Sequence, residues 1–367
     1  MTQVSGQRVP EHDASAGARG ASGRTIPARA PGGGLPFGAV MATAGASALA
    51  GPCGVAPLMR PLLGLAVLQV VWISGRALAR HRAGLRIDWR AWRAVGAAHE
   101  YCGAHTVPLG LAVIASDVLA LGTTATRGPL GFAALCLVMA WATAMMAVGR
   151  FTWSLAARGF DLHRLDGAWF LVPAALFGAG IATDRVAAQL PGHWPDVLRL
   201  LAAGSTVIGA FGYWALLVLA GLRIRRFGLG HCARAPWWIA MGCAGLGAAA
   251  LGQVLHQRPR ALPAQGLLDA TAMSIGAAML LSVPVLLLSA RFLLRQCGFR
   301  AVAPWPPTFS TAVLAFGAFQ AGRVLHVPAL GTLGLGAADA TLLFWSLTAG
   351  WNLRCAYRTW STGVRRS

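Results

Sequence analysis

The sequence predicts an all-α integral membrane protein whose ten transmembrane helices pair into five hairpins. Three observations predict it. Of 367 residues 56% are hydrophobic and only 11% charged, and the mean hydropathy of +0.59 is too high for a water-soluble fold of this length. Ten apolar runs of about the length of a bilayer crossing follow one another. Between them arginine-rich and arginine-poor connections alternate. Ten spans of about 20 residues use roughly 200, which leaves tails and connections but no second soluble domain.

Residues 1–34 are rich in Gly, Ala, Ser, Pro and Arg and hold no long apolar run. They read as a disordered, basic, cytoplasmic tail. No signal-peptide core precedes the first span, so that span is expected to direct insertion. Thinly spread arginines without interleaved aromatics favour anionic lipid over nucleic acid as their neighbour. The transmembrane domain is expected over 35–355, with spans at 35–50, 62–78, 106–122, 130–148, 169–187, 201–222, 237–255, 268–290, 308–324 and 330–351. A short cytoplasmic tail, 356–367, completes the chain.

The basic residues test that count. The net charge is +20, and all 31 basic residues are arginine. Twenty-four of them fall in the N-terminal tail, in alternate connections and in the C-terminal segment, and seven fall in the connections between. One span more or fewer would scramble this alternation. The positive-inside rule therefore places both termini in the cytoplasm of a cell whose inner membrane holds the chain.

Each odd-numbered span carries proline near its start: Pro36, Pro108, Pro173, Pro236, and Pro306 with Pro307. The spacing of about 65 to 70 residues equals one hairpin, which makes five hairpins in series. Proline is cheap there because the N–H it lacks has no partner in a first turn. Odd spans are also crowded with small residues, such as Gly38, Ala42 and Gly45 in the first and Gly242, Gly245 and Gly247 in the seventh. Even spans carry Leu, Val and Trp. Odd spans are thus expected in an inner ring, where small faces either border a narrow lumen or simply pack tightly.

Ionisable side chains at bilayer depth are candidates for function. Asp117 and Asp339 qualify. An acidic lining would repel anions, so an anion pathway expects both to meet helix contacts, interfacial water or an arginine; either could instead carry the proton of a coupled carrier. No arginine lies mid-span in an odd helix, which points to weak binding of any anion. No histidine lies mid-span either, which argues against a haem-binding membrane oxidoreductase. The seven cysteines are scattered and never spaced as CxxC, which excludes a disulfide framework or zinc ribbon. Gly331-Thr332-Leu333-Gly334-Leu335-Gly336 follows no strand and is not a nucleotide loop. No metal, no cofactor and no enzyme chemistry are expected.

Three stretches carry a family resemblance. They are Leu35-Pro36-Phe37-Gly38-Ala39-Val40-Met41-Ala42-Thr43-Ala44-Gly45, Trp169-Phe170-Leu171-Val172-Pro173, and Trp305-Pro306-Pro307-Thr308-Phe309-Ser310. The chain resembles the tellurite-resistance/dicarboxylate transporter family, which includes the plant slow anion channels. It departs from that pattern at Ser310, where the family usually has proline, and at His99-Glu100-Tyr101, where a His-Pro dipeptide is common. The resemblance implies five hairpins about a quasi-fivefold central pore, a homotrimer, and Phe309 as a gate in the ninth helix. Phe37, Gly38, Ala42, Phe177 and Thr308 are the expected pore-lining residues, with core packing the alternative for Phe37 and Phe177. The function so implied is passage of small anions. The alternative is proton-coupled carriage of C4-dicarboxylates, sulfite or tellurite-type oxyanions, and a haem oxidoreductase comes last.

Overall fold

The computed structural model describes residues 35–82, 103–121, 127–228, 237–257, 263–295 and 305–364. The expected tail 1–34, Pro236, and the segment with His99 and Glu100 lie outside the described residues. So do residues 365–367 and the side chains of Pro36 and Phe37.

Ten α-helices and a few single turns of 3-10 helix make up the described residues, which contain no strand. The helices are α1 (Leu35–Ala50), α2 (Met59–Arg82), α3 (Thr106–Leu121), α4 (Arg127–Arg158) and α5 (Leu171–Ala187). They continue as α6 (Trp194–Phe227), α7 (Trp238–His256), α8 (Ala264–Arg295), α9 (Trp305–Val324) and α10 (Pro328–Val364). Seven stretches, in α2, α4, α5, α6, α7, α8 and α10, are long and apolar enough to cross a membrane. α1 and α3 contain shorter apolar helices, and α9 carries Thr308, Ser310, Thr311 and Gln320 among its apolar residues. The fold is that of an all-α, multi-pass membrane protein.

Even helices run past their apolar cores at both ends. α6 has 34 residues, about 51 Å at the helical rise, against a hydrocarbon core of about 30 Å. α10 continues beyond Trp351 to Val364, so most of the expected C-terminal tail is helix. The segment from Leu353 to Thr362 holds neither Gly nor Pro to stop it. Pro284 inside α8 removes one hydrogen bond that a long membrane helix tolerates.

Two kinds of helix emerge from burial. The apolar windows of α5 and α7 are 78% and 89% buried, whereas those of α2, α4, α6, α8 and α10 are only 17% to 33% buried. Outward-facing side chains on the even helices are large and apolar, among them Leu68, Trp72, Val138, Phe211, Leu280 and Leu343. Such a belt is compatible only with a covering of similar polarity, which lipid provides.

Helix contacts explain this division. Each odd helix packs on the even helix that follows it, and α1, α3, α5, α7 and α9 also touch in sequence, with α9 packing back on α1. Each even helix leans on the next odd one, and α10 leans on α1. Two of these last contacts use the same bond: Trp141 Nε1 on α4 donates to Thr183 Oγ1 on α5 at 2.9 Å, and Trp345 Nε1 on α10 donates to Thr43 Oγ1 on α1 at 3.2 Å. Threonine there also bonds back into its own helix, as Thr183 does to the Ala179 carbonyl at 2.7 Å.

Glycine permits the closest approaches. A methyl on Gly317 of α9 would run into the Gly245 carbonyl of α7, and one on Gly242 would lie 2.8 Å from the Ser310 Cα. Between α1 and α9 the same role falls to Gly45, whose added methyl would come within 3.0 Å of Ala312. Small residues here set backbone separation, as they do wherever apolar helices associate without a hydrophobic driving force.

Candidate functional site

Inside the ring of odd helices lies a cavity of about 430 Å³. Every odd helix contributes to its wall at helical spacing: Gly45 on α1; Ala112, Val113, Ser116 and Asp117 on α3; Gly178, Ile181 and Arg185 on α5; Leu246, Ala249 and Gln253 on α7. α9 gives the longest stripe, Phe309, Ala312, Val313, Phe316, Phe319, Gln320 and Arg323. Fourteen positions separate Phe309 from Arg323, or about 21 Å along the helix. The volume has room for a hydrated small ion, since a water takes about 30 Å³ of liquid.

The wall is polar at one end. Asp117, Arg185, Gln253, Gln320 and Arg323 all fall in the last two turns of their helices, and the remaining wall is small or apolar. Helix C-termini carry partial negative charge, which the two arginines offset. Arg185 spends one N–H on the Ser116 carbonyl, Nη1 to O at 3.2 Å. Gln253 Nε2 donates to Asp184 Oδ2 at 2.7 Å, which ties down that buried carboxylate. Asp117 is also buried, yet its Oδ2 has no hydrogen-bond partner among the described residues. No ion pair within 4.0 Å joins Asp117 to Arg185 among those residues, although both line the cavity.

Phe309 is buried in the second turn of α9 and is the lining residue nearest a helix N-terminus. Thr308 beside it is fully buried, and Pro307, Pro108 and Pro173 at the starts of their helices are buried too. Ala42 is fully buried, and Gly38 faces the Trp305 Cβ; of the three small α1 residues, Gly45 is the one that reaches the cavity. Phe177 occupies a different place from the expected lining. Its ring fills the crevice between Gly209 of α6 and Gly247 of α7, where an added Cβ would approach it to 3.0 and 3.1 Å, which is core packing.

Asp339 and Asp117 separate. Asp339 is exposed on α10, beside Cys53 of the α1–α2 connection. Asp117 lines the cavity itself, in the company of an arginine. His105 is fully buried with its ring edge-on to Phe151 at 6.3 Å between centroids. Among the described residues no three His, Cys, Asp or Glu side chains gather as a metal site.

Sequence reasoning missed Arg185, Arg323, Gln253 and Gln320. It assigned both arginines to sparse outer connections and drew from them only an orientation. A signal was present: Arg185 and Gln253 each stand sixteen residues after the tryptophan that opens their span, Trp169 and Trp237. That shared register puts both at the same end of neighbouring inner helices.

No known protein family matches this chain, and no curated protein matches it either.

Proposed function

We propose that the protein conducts small anions across the inner membrane through a quasi-fivefold pore, in a ten-span fold with both termini cytoplasmic. The observation that carries this reading is the cavity bounded by all five odd helices, with two arginines at its polar end and Phe309 at the other. Arginine positive charge draws anions into the mouth. Below it the wall offers little to bind an ion, so an anion that enters is not held. Phe309 blocks the apolar end. The resemblance to the tellurite-resistance/dicarboxylate transporter family supports the same gate, and adds a homotrimer to the proposal. Passage of this kind needs no covalent chemistry and no cofactor.

The test is Phe309→Ala in liposomes. Chloride efflux driven by a potassium gradient rises at least severalfold over wild type if the ring closes the path. Unchanged efflux from a folded variant removes Phe309 as the gate.

A second reading, a proton-coupled carrier of dicarboxylates or related oxyanions, is favoured by the buried Asp117 with its open oxygen. Malate accumulating against its gradient under an imposed pH difference selects the carrier. Flux that only dissipates gradients selects the channel.

A further inference from the structure

The surroundings of Asp117 pull its two protonation states in opposite directions. On the cavity wall beside it stands Arg185, a cation that makes no ion pair with it among the described residues. The nearby Ser47 hydroxyl donates to the Met59 carbonyl at 2.9 Å. The Asp117 carboxyl is buried, and its Oδ2 has no hydrogen-bond partner among the described residues. A cation on the same wall favours the ionised form, and burial without a hydrogen bond at that oxygen favours the neutral form.

Charges at this end of the cavity are close to balance. Arg185 and Arg323 stand against Asp117 and Asp184, and Arg199, which also acts on Asp184, is paired with Asp196 at 3.6 Å. Facing Asp117 are Ser47 from α1, Arg185 and behind it Asp184 from α5, and Gln320 and Arg323 across the cavity on α9. α7 contributes Gln253 to the wall, with His256 near Asp184 at its end. Asp184 is the less available carboxylate, because the Gln253 amide already holds it. One proton taken up by Asp117 removes its negative charge and leaves Arg185 and Arg323 facing the cavity with a net positive field.

We propose that Asp117 is a protonatable internal counter-ion to Arg185 that competes with the transported anion, so that acid at the polar end opens the site to small anions. The step is a single proton transfer from water at the cavity mouth to a carboxylate oxygen of Asp117, which gives a neutral acid; no other bond changes. This rests on the anion-conducting reading above and adds its regulation. It differs from the proton-coupled carrier in that the proton sets the charge of the site and need not cross with the anion.

The full-length protein is reconstituted in liposomes, and chloride efflux is measured in acid and neutral buffer. Wild-type efflux is expected to rise with acidity, by at most about tenfold per pH unit for one titrating group. Asp117→Asn mimics the neutral acid, and its efflux is expected to match the wild-type acid rate in both buffers. Asp184→Asn, which adds net positive charge at every pH, is expected to raise efflux in both buffers while the rise with acidity persists. An acid-dependent carboxylic C=O infrared band, present in wild type and lost in Asp117→Asn, reports the proton without any transport. A wild-type response preserved in Asp117→Asn, or a wild type indifferent to acid, overturns the counter-ion proposal while leaving anion conduction standing. Should Asp117→Asn fail to fold, a wild type that shows no acid-dependent carboxylic band overturns it equally. The infrared band without chloride passage in either wild type or Phe309→Ala overturns the conduction reading instead.

Discussion

Arg323 and Arg185 do different work at the same mouth. Arg185 holds the carbonyl of Ser116, so its loss would disturb the α3–α5 contact as well as the field. Arg323 is exposed and makes no hydrogen bond or ion pair among the described residues, so its contribution is electrostatic. Arg323→Gln is therefore expected to slow chloride efflux about threefold to tenfold at low ionic strength, and much less at high salt where exposed charges are screened. An effect equal at both salt concentrations would make Arg323 structural. Phe309 was legible from its motif, because an aromatic following Trp-Pro-Pro-Thr at the ninth span carries a resemblance. The arginines were not legible, since an arginine in the last turn of a helix reads equally well as compensation of the helix dipole. Only the convergence of several helix ends distinguishes the two, and convergence is a tertiary property. Phe177, for which core packing was the alternative, packs between Gly209 of its own hairpin and Gly247 of the next, a pairing that only the tertiary structure reveals.

Among the helices, the α7–α9 crossing is the tightest described, with Gly245 and Gly317 back to back. Gly317→Val is expected to destabilise the protein by about 1–3 kcal/mol through overpacking, read as a lower melting temperature in detergent. Gly331→Ala on the outer helix α10, where an added methyl meets nothing within 4 Å, is the control. It is expected to be neutral or stabilising by up to about 1 kcal/mol. A Gly317→Val variant as stable as its parent would mean that α7 and α9 are not so close. Helix positions were readable from hydropathy to within a few residues for the inner helices, whose ends coincide with proline and tryptophan. Outer helices overran the apolar runs, as α4 does by reaching Arg158. Hydropathy marks where lipid begins and ends, whereas a helix stops at glycine, proline or an unpaired terminus.

For the molecule as a whole, the arginine asymmetry makes a prediction that geometry alone does not. A fluorescent protein fused after Ser367 is expected to fluoresce in the cell, and a phosphatase fused there to be inactive, since both report a cytoplasmic end. The opposite pair of results would invert the chain and put the two cavity arginines on the inner side. Division into inner and outer helices was visible in the sequence as small against bulky residues. The closure of the inner set was implied by the family resemblance and not by composition, because it depends on contacts between segments far apart in the chain. The Trp345–Thr43 bond spans 302 residues. During synthesis, then, the first helix is made long before its last neighbour leaves the ribosome, and one flank of it must wait against lipid or an insertase. Stopping translation before the ninth helix would release an open horseshoe with no enclosed interior. Quality control in the membrane would therefore have one late event, the meeting of the first helix with the ninth and tenth, by which to recognise a closed ring.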